Sequence, residues 1–327
     1  MYVRKEAVLS SEIEGTQSTL SDLLRFEIEA APGAPLDDVQ EVSNYVAAME
    51  HGLRRLKSLP LSLRLIREMH AVLMSSGRGR NKQPGEFRTS QNWIGGTRPG
   101  NAIFVPPPPH EVMPALDALE KYMHADDSMP ALIKAGLLHV QFETIHPFLD
   151  GNGRLGRLLI TLFLCERGVL QAPLLYLSLY LRRHRPTYYR LLQEVRERGV
   201  WEAWLEFFLE GVEMAASDAF EKASDIVTLF RADREAIIAN AEASDSVLRL
   251  HALMQIRPFM TGRAASEKTS LSAPTVNNAF AQLIGLDLVR EVTGKKRDRI
   301  YAYHRYLALL NEDSAPKPGK TKARQKS

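Results

Sequence analysis

Apolar residues recur three and four apart between residues 37 and 56, where Val39, Val42, Tyr45, Val46, Met49, Leu53 and Leu56 fall on one side. The same period runs over 61–73, and both stretches predict amphipathic helices. Helical patterns return over 110–124, 130–144, 152–166, 174–182 and 186–198, then in a long run over 201–241. Between 75 and 109 the period disappears and Gly, Pro, Asn and Arg accumulate. Two short candidate strands there, 92–94 and 102–105, flank the turn composition GGTRPGN, which predicts a β-hairpin or flap. PPPP at 106–109 ends it, because proline has no N–H for a ladder.

From Ser246 the pattern changes to three short helices, over 246–256, 262–269 and 272–283. Two short strands follow, 288–292 and 300–303, joined by TGKKRDR. That order is the outline of a winged helix-turn-helix. The expected fold class is mainly α, divided into an N-terminal helix and linking segment (1–36), a helical domain (37–241) interrupted by the flap (84–109), a winged-helix domain (245–306) and a tail (307–327). The tail is rich in Lys, Pro, Gly and Ser, a composition that predicts disorder.

Composition narrows the function classes. The 327 residues, 45% hydrophobic, are enough for two domains with a substantial core. The greasiest stretch, 158–165, is too short to span a bilayer and is bounded by Arg157 and Glu166. The opening MYVRKEAVLS lacks the apolar core of a secretion signal. A single cysteine, Cys165, excludes a disulfide within the chain and reads as a small buried apolar residue, so a reducing, cytoplasmic setting is expected. The net charge of +3 is unevenly placed: residues 245–306 hold ten Lys/Arg against five Asp/Glu, and 307–327 hold five against two. DNA is therefore one expected partner of the C-terminal quarter, through the wing KKRDR. Residues 271–289, however, contain no Lys or Arg, leaving Thr275, Asn277, Asn278 and Gln282 as base readers. Dimerisation and target docking compete with DNA for this module.

The densest chemistry is HPFLDGNGRLGR, residues 146–157. Gly151, Asn152 and Gly153 lead into a helix, where backbone N–H groups can close on an anion. Arg154 and Arg157 lie three apart, which places both guanidinium groups on the first turn to fork onto phosphate oxygens. Asp150 is a hard oxygen ligand suited to Mg²⁺, and His146 is a candidate base at neutral pH. Each part has an ordinary structural use: a histidine before proline, an Asp-Gly turn, two arginines on a solvated face. Their coincidence in twelve residues is what points to transfer of a phosphorus-centred group. Zinc on His139 and His146 is the weaker reading, because the H-E-x-x-H spacing is absent.

Near the start, SSEIEG (10–15) fits a capping box through Ser11 and Glu14, yet Gly15 belongs just past a last helical turn. The alternative is a helix over 2–14 that presents Glu14 at its C-terminal end, where the dipole does not favour a carboxylate and a cation partner is wanted.

HPFLDGNGRLGR resembles the motif of the Fic family, H-P-F-x-D/E-G-N-G-R-x-x-R, with every fixed position filled. PGEFRTSQNWIGG followed by FVPPPP resembles the Fic flap, and Ser10, Glu14 and Gly15 fit the inhibitory signature S/T-x-x-x-E-G/N. The resemblance covers about residues 1–212 and implies a Fic-type helical domain acting as a protein adenylyltransferase, with ATP as substrate and Mg²⁺ as cofactor. By that carry-over His146 deprotonates a Ser, Thr or Tyr hydroxyl of a target protein, or of the chain itself, which attacks the α-phosphorus. Asp150 holds Mg²⁺; Gly151, Asn152 and Gly153 cradle phosphate oxygens; Arg154 and Arg157 bind the departing pyrophosphate end; Phe148 anchors the loop. Trp93, Ile94 and Gly95 would align the target by backbone pairing, and of the pair Tyr188–Tyr189, Tyr189 is the candidate adenine contact. Glu14, with Ser10, is expected to occupy Arg157 and block a productive ATP pose. The intact GNG core favours AMP transfer over other phosphate chemistries. Relatives of this kind generally carry a segment before the stretch aligned with VRKEAVLSS, so a truncated start would weaken the brake. The competing readings are removal of AMP with Glu14 orienting water, and a winged-helix DNA-binding regulator whose Fic-like domain senses nucleotide. A homodimer is a further candidate assembly.

Overall fold

The computed structural model describes residues 1–29, 36–240, 244–295 and 297–311. They fall into two compact units, one up to residue 219 and one from residue 220. The first consists of α1 (Tyr2–Ile13), α2 (Leu20–Glu29), α3 (Leu36–Arg55), α4 (Leu63–Leu73), α5 (Pro109–His124), α6 (Ala131–Ile145), α7 (Asn152–Glu166), α8 (Ser178–Arg183), α9 (Arg185–Arg198) and the start of α10 (Trp201–Ala239). Among the described residues no helix is long and apolar enough to cross a membrane.

Helix α7 is the centre of this unit. It is buried almost throughout, from Asn152 to Leu164, and packs on α6, α3, α4 and α1. Burial on all sides is what a helix with Leu, Ile and Phe around its whole circumference demands. Close approach of α3 depends on Gly52, where a Cβ would lie 2.8 Å from Leu162 Cδ1. Helix α1 buries Ala7, Val8, Leu9 and Ile13 against α3, α8 and α7. It stops at Gly15, which adopts φ +94°, while Thr16 N–H bonds back to Ser11 O at 3.2 Å. That is a glycine C-terminal cap, and it decides the reading of SSEIEG against the capping box.

Helix α2 lies in the stretch expected to be only a linking segment. Its signal is local: Thr19 and Asp22 bond reciprocally at the start, with Asp22 N–H to Thr19 Oγ1 at 3.2 Å and Thr19 N–H to Asp22 Oδ2 at 3.0 Å. The flap carries less strand than its sequence predicts. Ile94 N–H donates to Phe104 O and Ile103 N–H to Ile94 O, each at 2.9 Å, and this is an isolated bridge. Left-handed Gly95 and Gly96 and a 3₁₀ turn at Pro99–Asn101 leave no room for a longer ladder. Helix α8 starts at Ser178, later than expected, because 170–177 form turns that bury Leu175, Tyr176 and Leu177. Cys165 is half-buried rather than fully buried, and burial raises its thiol pKa.

The second unit contains α11 (Asp245–Ile256), β1 (Phe259–Thr261), α12 (Gly262–Thr269), α13 (Ala273–Gly285), β2 (Arg290–Glu291), β3 (Ile300–Ala302) and α14 (His304–Asn311). Thr261 and Ser272 cap α12 and α13 through their side chains. The three strands form an antiparallel sheet in the order β1-β3-β2, with Phe259 and Arg290 both opposite Ala302. Strand β1 is additional to the two strands expected. Phe280 of α13 stacks on Tyr301 of β3 with ring centroids 3.8 Å apart. Helix α14 takes up residues 307–311, which composition had assigned to the tail, because Tyr306, Leu307 and Leu310 supply a buried apolar stripe. Residues 312–327 of that tail, and Lys296 of KKRDR, lie outside the described residues.

Candidate active site

Helix α6 ends at His146, which sits in the left-handed region at φ +48°, ψ +60°. A residue with a Cβ is held there only by its surroundings. Arg88, 2% exposed, supplies much of that hold through four main-chain carbonyls. It donates to His146 O at 2.9 Å, Pro107 O at 2.6 Å, and Ile145 O and Ser90 O at 3.3 Å. Asn92 Nδ2 donates to His146 O at 3.1 Å and Phe148 O at 2.9 Å. The base of the flap and the loop after α6 are thereby one hydrogen-bonded body.

Phe148 is fully buried, as expected of an anchor, and stacks on His70 with centroids 3.7 Å apart. His70 Nδ1 accepts from Gly85 N–H at 2.8 Å, which leaves Nε2 to donate to Asp150 O at 3.0 Å. Burial lowers the His70 pKa to about 4, so the ring is neutral at pH 7. Asn152 folds its side chain back, accepting from Phe148 N–H at 2.9 Å and donating to Phe148 O at 2.8 Å. Its side chain therefore locks the loop, and only its backbone faces an anion at the helix start.

Gly151 opens α7 at φ +77°, where a Cβ would meet Met74 Sδ at 2.7 Å. The first bond of the helix runs from Leu155 N–H to Gly151 O. The N–H groups of Asn152, Gly153 and Arg154 precede it and form the positive end. Asp150 Oδ1 accepts from Gly151 N–H at 2.6 Å.

The two motif arginines take different partners. Arg154 donates to Glu41 of α3 at 3.2 Å. Arg157, its side chain 1% exposed, donates to Glu14 Oε1 at 2.7 Å. It also holds Ser10 Oγ at 2.8 Å and Ser10 O at 3.0 Å. Glu14 Oε1 lies where a Cβ on Gly153 would be, 2.4 Å away. An internal carboxylate thus rests on the first turn of α7. Desolvation pushes the Glu14 pKa up, but Arg157, with Arg154 and His146, holds it below the ordinary carboxylate value. Its side chain is still 39% exposed, so the contact lies at the mouth of the site.

Burial, then the positive charge of Arg196, lowers the His146 pKa to about 4. Its imidazole is therefore neutral at pH 7 and able to accept a proton. His139 bonds Tyr188 OH through Nε2 at 2.8 Å, and no cluster of three or more metal-ligating side chains exists among the described residues. The zinc reading ends there. Tyr189 is 40% exposed, with the Arg185 guanidinium 5.5 Å from its ring centre. Trp93 is 39% exposed on the flap, while Phe104 across the bridge lies under Arg196 of α9 at 4.3 Å. In the second unit a groove of about 960 Å³ lies beside β2 and β3, where Arg263, Arg297 and Arg299 alternate with Glu291 and Asp298.

Sequence reading missed His70, Arg88, Asn92 and Glu41. Each acts on backbone or on another side chain from a distant segment, so no local spacing reveals it.

Residues 60–164 match the Fic/DOC family, and residues 1–54 match the Fic/DOC family N-terminal segment. A probable protein adenylyltransferase of Aquifex aeolicus is 33% identical over 99 residues, which is 30% of this chain and 28% of that protein. The protein adenylyltransferase Fic of Drosophila grimshawi is 29% identical over 194 residues, 58% of this chain and 37% of that protein. The chain thus spans about a third of the length of the curated relatives it matches. A Fic family protein from Desulfovibrio desulfuricans has the same fold at a TM-score of 0.57 and 23% identity, covering 92% of this chain and 86% of that one. Two segments of the chain, residues 1–54 and 60–164, are thus similar to the Fic/DOC family, and the HPFLDGNGRLGR motif lies in the second of them.

Proposed function

We propose that the chain transfers AMP from ATP to a hydroxyl side chain of a protein, and that Glu14 restrains it. One observation carries this reading: the Glu14 carboxylate on the first turn of α7, against Gly153 and bonded to Arg157. A helix N-terminus with a buried arginine is an anion site, and here the chain supplies its own anion. ATP phosphates would compete for the same groups.

In the forward reaction neutral His146 takes the proton of the target hydroxyl. The hydroxyl oxygen bonds to the α-phosphorus, the bond from that phosphorus to the β-phosphate bridging oxygen breaks, and pyrophosphate leaves. Free backbone N–H groups at Asn152, Gly153 and Arg154 receive phosphate oxygens, and Arg157 receives the leaving end once Glu14 withdraws. Asp150 fits a Mg²⁺ contact: Oδ1 is taken by Gly151 N–H, Oδ2 remains, and a lone carboxylate suits a cation that draws its other ligands from phosphate and water. Mg²⁺ there would neutralise phosphate charge. The flap at Trp93, Ile94 and Gly95 would receive the target segment.

The test is label from ATP marked at the α-phosphate, with Mg²⁺, on the protein itself and on a broad panel of proteins. Wild type should transfer little, Glu14→Gly more and His146→Ala none. If Glu14→Gly stays as silent as His146→Ala across the panel, the reading fails. The exposure of Glu14 favours one second reading, in which it orients a water to remove AMP from a modified protein; release of AMP lost in Glu14→Gly would support it.

A further inference from the structure

Two buried side-chain polar atoms at the end of α6, His146 Nδ1 and Glu143 Oε1, have no hydrogen-bond partner. The other oxygen of that carboxylate, Oε2, lies 3.8 Å from Nδ1, with the Glu143 side chain 7% exposed. Both residues sit at the end of α6, three apart, on one face. An unpaired buried acceptor beside an unpaired buried donor is costly, and a small rotation satisfies both.

A second observation concerns the space around the carboxylate. Gly156 occupies one of the motif's unspecified positions, and a Cβ there would come 2.5 Å from Glu143 Oε1. The glycine leaves room for the carboxylate against α7. The main-chain oxygen of Glu143 is meanwhile engaged by Arg196 Nη2 at 3.0 Å. That carbonyl has a second lone pair and competes for Nδ1, whereas the carboxylate brings an oxygen with no partner at all.

We propose that Glu143 is a positioning residue for His146: its carboxylate accepts the Nδ1 proton and so fixes the tautomer in which Nε2 is the free base. Nδ1 is the ring nitrogen sealed from solvent, while the His146 side chain keeps 20% exposure, so Nε2 is the nitrogen that meets a substrate. The logic is that of any histidine base oriented by a carboxylate on its far nitrogen. Glu143 faces Arg157 of α7, Arg196 of α9 and Glu14 of α1. The two arginines favour its charged form, against the desolvation that raises its pKa to about 7. The inference rests on the adenylyltransferase reading for its kinetic part alone.

The experiment uses the full chain carrying Glu14→Gly, at pH 8, with Glu143→Ala, Glu143→Gln or Gly156→Ala added. Ring nitrogen shifts of His146 are read by ¹⁵N NMR and assigned among the nine histidines by comparison with His146→Gln. The parent should carry its proton on Nδ1. Glu143→Ala should lose that preference, Gly156→Ala should weaken it by displacing the carboxylate, and Glu143→Gln, which keeps an acceptor oxygen, should retain most of it. In AMP transfer, Glu143→Ala should lower kcat roughly 10- to 100-fold, as loss of an orienting partner does, with KM for ATP unchanged. An unchanged Nδ1–H tautomer in Glu143→Ala would overturn the proposal and assign the proton to the Glu143 carbonyl. Should no variant transfer label at all, the adenylyltransferase reading falls while the tautomer still decides the role of Glu143.

Discussion

Arg154 and Arg157 begin the same helix, three residues apart, both buried and both held by a carboxylate from another segment, yet the two pairs are built for different ends. Glu41, partner of Arg154, lies within α3 with its side chain 8% exposed and also accepts from Arg78 at 2.8 Å. Glu14, partner of Arg157, lies at the C-terminal cap of α1 with its side chain 39% exposed. One carboxylate is embedded among other charges on a long helix. The other can leave by a small motion of a helix end, and only solvent or an incoming anion need replace it. On the proposed function the first pair is framework and the second a latch.

The largest way to break that contrast is to remove Glu41. Glu41→Ala leaves Arg154 buried without its carboxylate and should cost about 3 to 5 kcal/mol of stability. Glu14→Gly should cost no more than about 1 to 2 kcal/mol, because Arg157 keeps Ser10 and the site opens to water. Urea unfolding of the two variants beside wild type measures both. If Glu14→Gly were the more damaging, the assignment of framework and latch would be reversed.

How much of this was legible beforehand follows from the same contrast. Glu14, Ser10 and Arg157 could be paired from sequence because the resemblance to the Fic motif and inhibitory signature implies that pairing, and Gly15 marks the helix end. Glu41 gave no such sign: on α3 it is one acidic residue among several, and only packing of α3 against α7 brings it to Arg154. The same holds for Arg88 and His70, whose partners are main-chain atoms 58 and 80 residues away. The helices were readable because their apolar period is strong. The flap was over-read as a ladder, since alternation over three or four residues does not say whether proline and left-handed glycines leave any N–H to pair. Helix α14 was under-read because a short apolar stripe was judged with the Lys-rich stretch that follows it.

The second effect in size is on nucleotide binding. Glu14→Gly should tighten ATP binding about 10- to 100-fold, the range of an intramolecular competitor worth a few kcal/mol. Calorimetric titration with ATP and Mg²⁺ on the full chain reads it. Ser10→Ala removes a single neutral partner of Arg157, Oγ, and leaves the carbonyl in place. A net hydrogen bond is worth about 1 kcal/mol, so ATP should gain roughly fivefold at most. A Ser10→Ala gain equal to that of Glu14→Gly would make the hydroxyl, rather than the carboxylate, the latch.

The smallest effect expected is a null one, and it separates Glu14 from Glu6. Glu14 has its pKa held below the ordinary 4.5, so its contribution to docking α1 is fully present above that value and is lost only as pH falls through the lower folded value. Glu6, further back on α1, is 4% exposed and accepts from Ser178 Oγ at 2.5 Å. Desolvation raises its pKa to about 7, against those hydrogen bonds. Between 4.5 and about 7 the folded chain therefore keeps a proton that the unfolded chain has released, and the Glu6 contribution to stability declines as pH rises through that window. The ratio of ATP affinities between Glu14→Gly and wild type cancels what the two proteins share, including the titration of ATP itself. If Glu14 alone sets the latch, that ratio should change less than about twofold between pH 6 and pH 8, since a carboxylate titrating below 4.5 is more than 90% ionised throughout. A ratio that drifts as pH passes 7 would place the control at Glu6, in the seating of the whole helix, and would turn the latch from a contact between two side chains into a docking equilibrium.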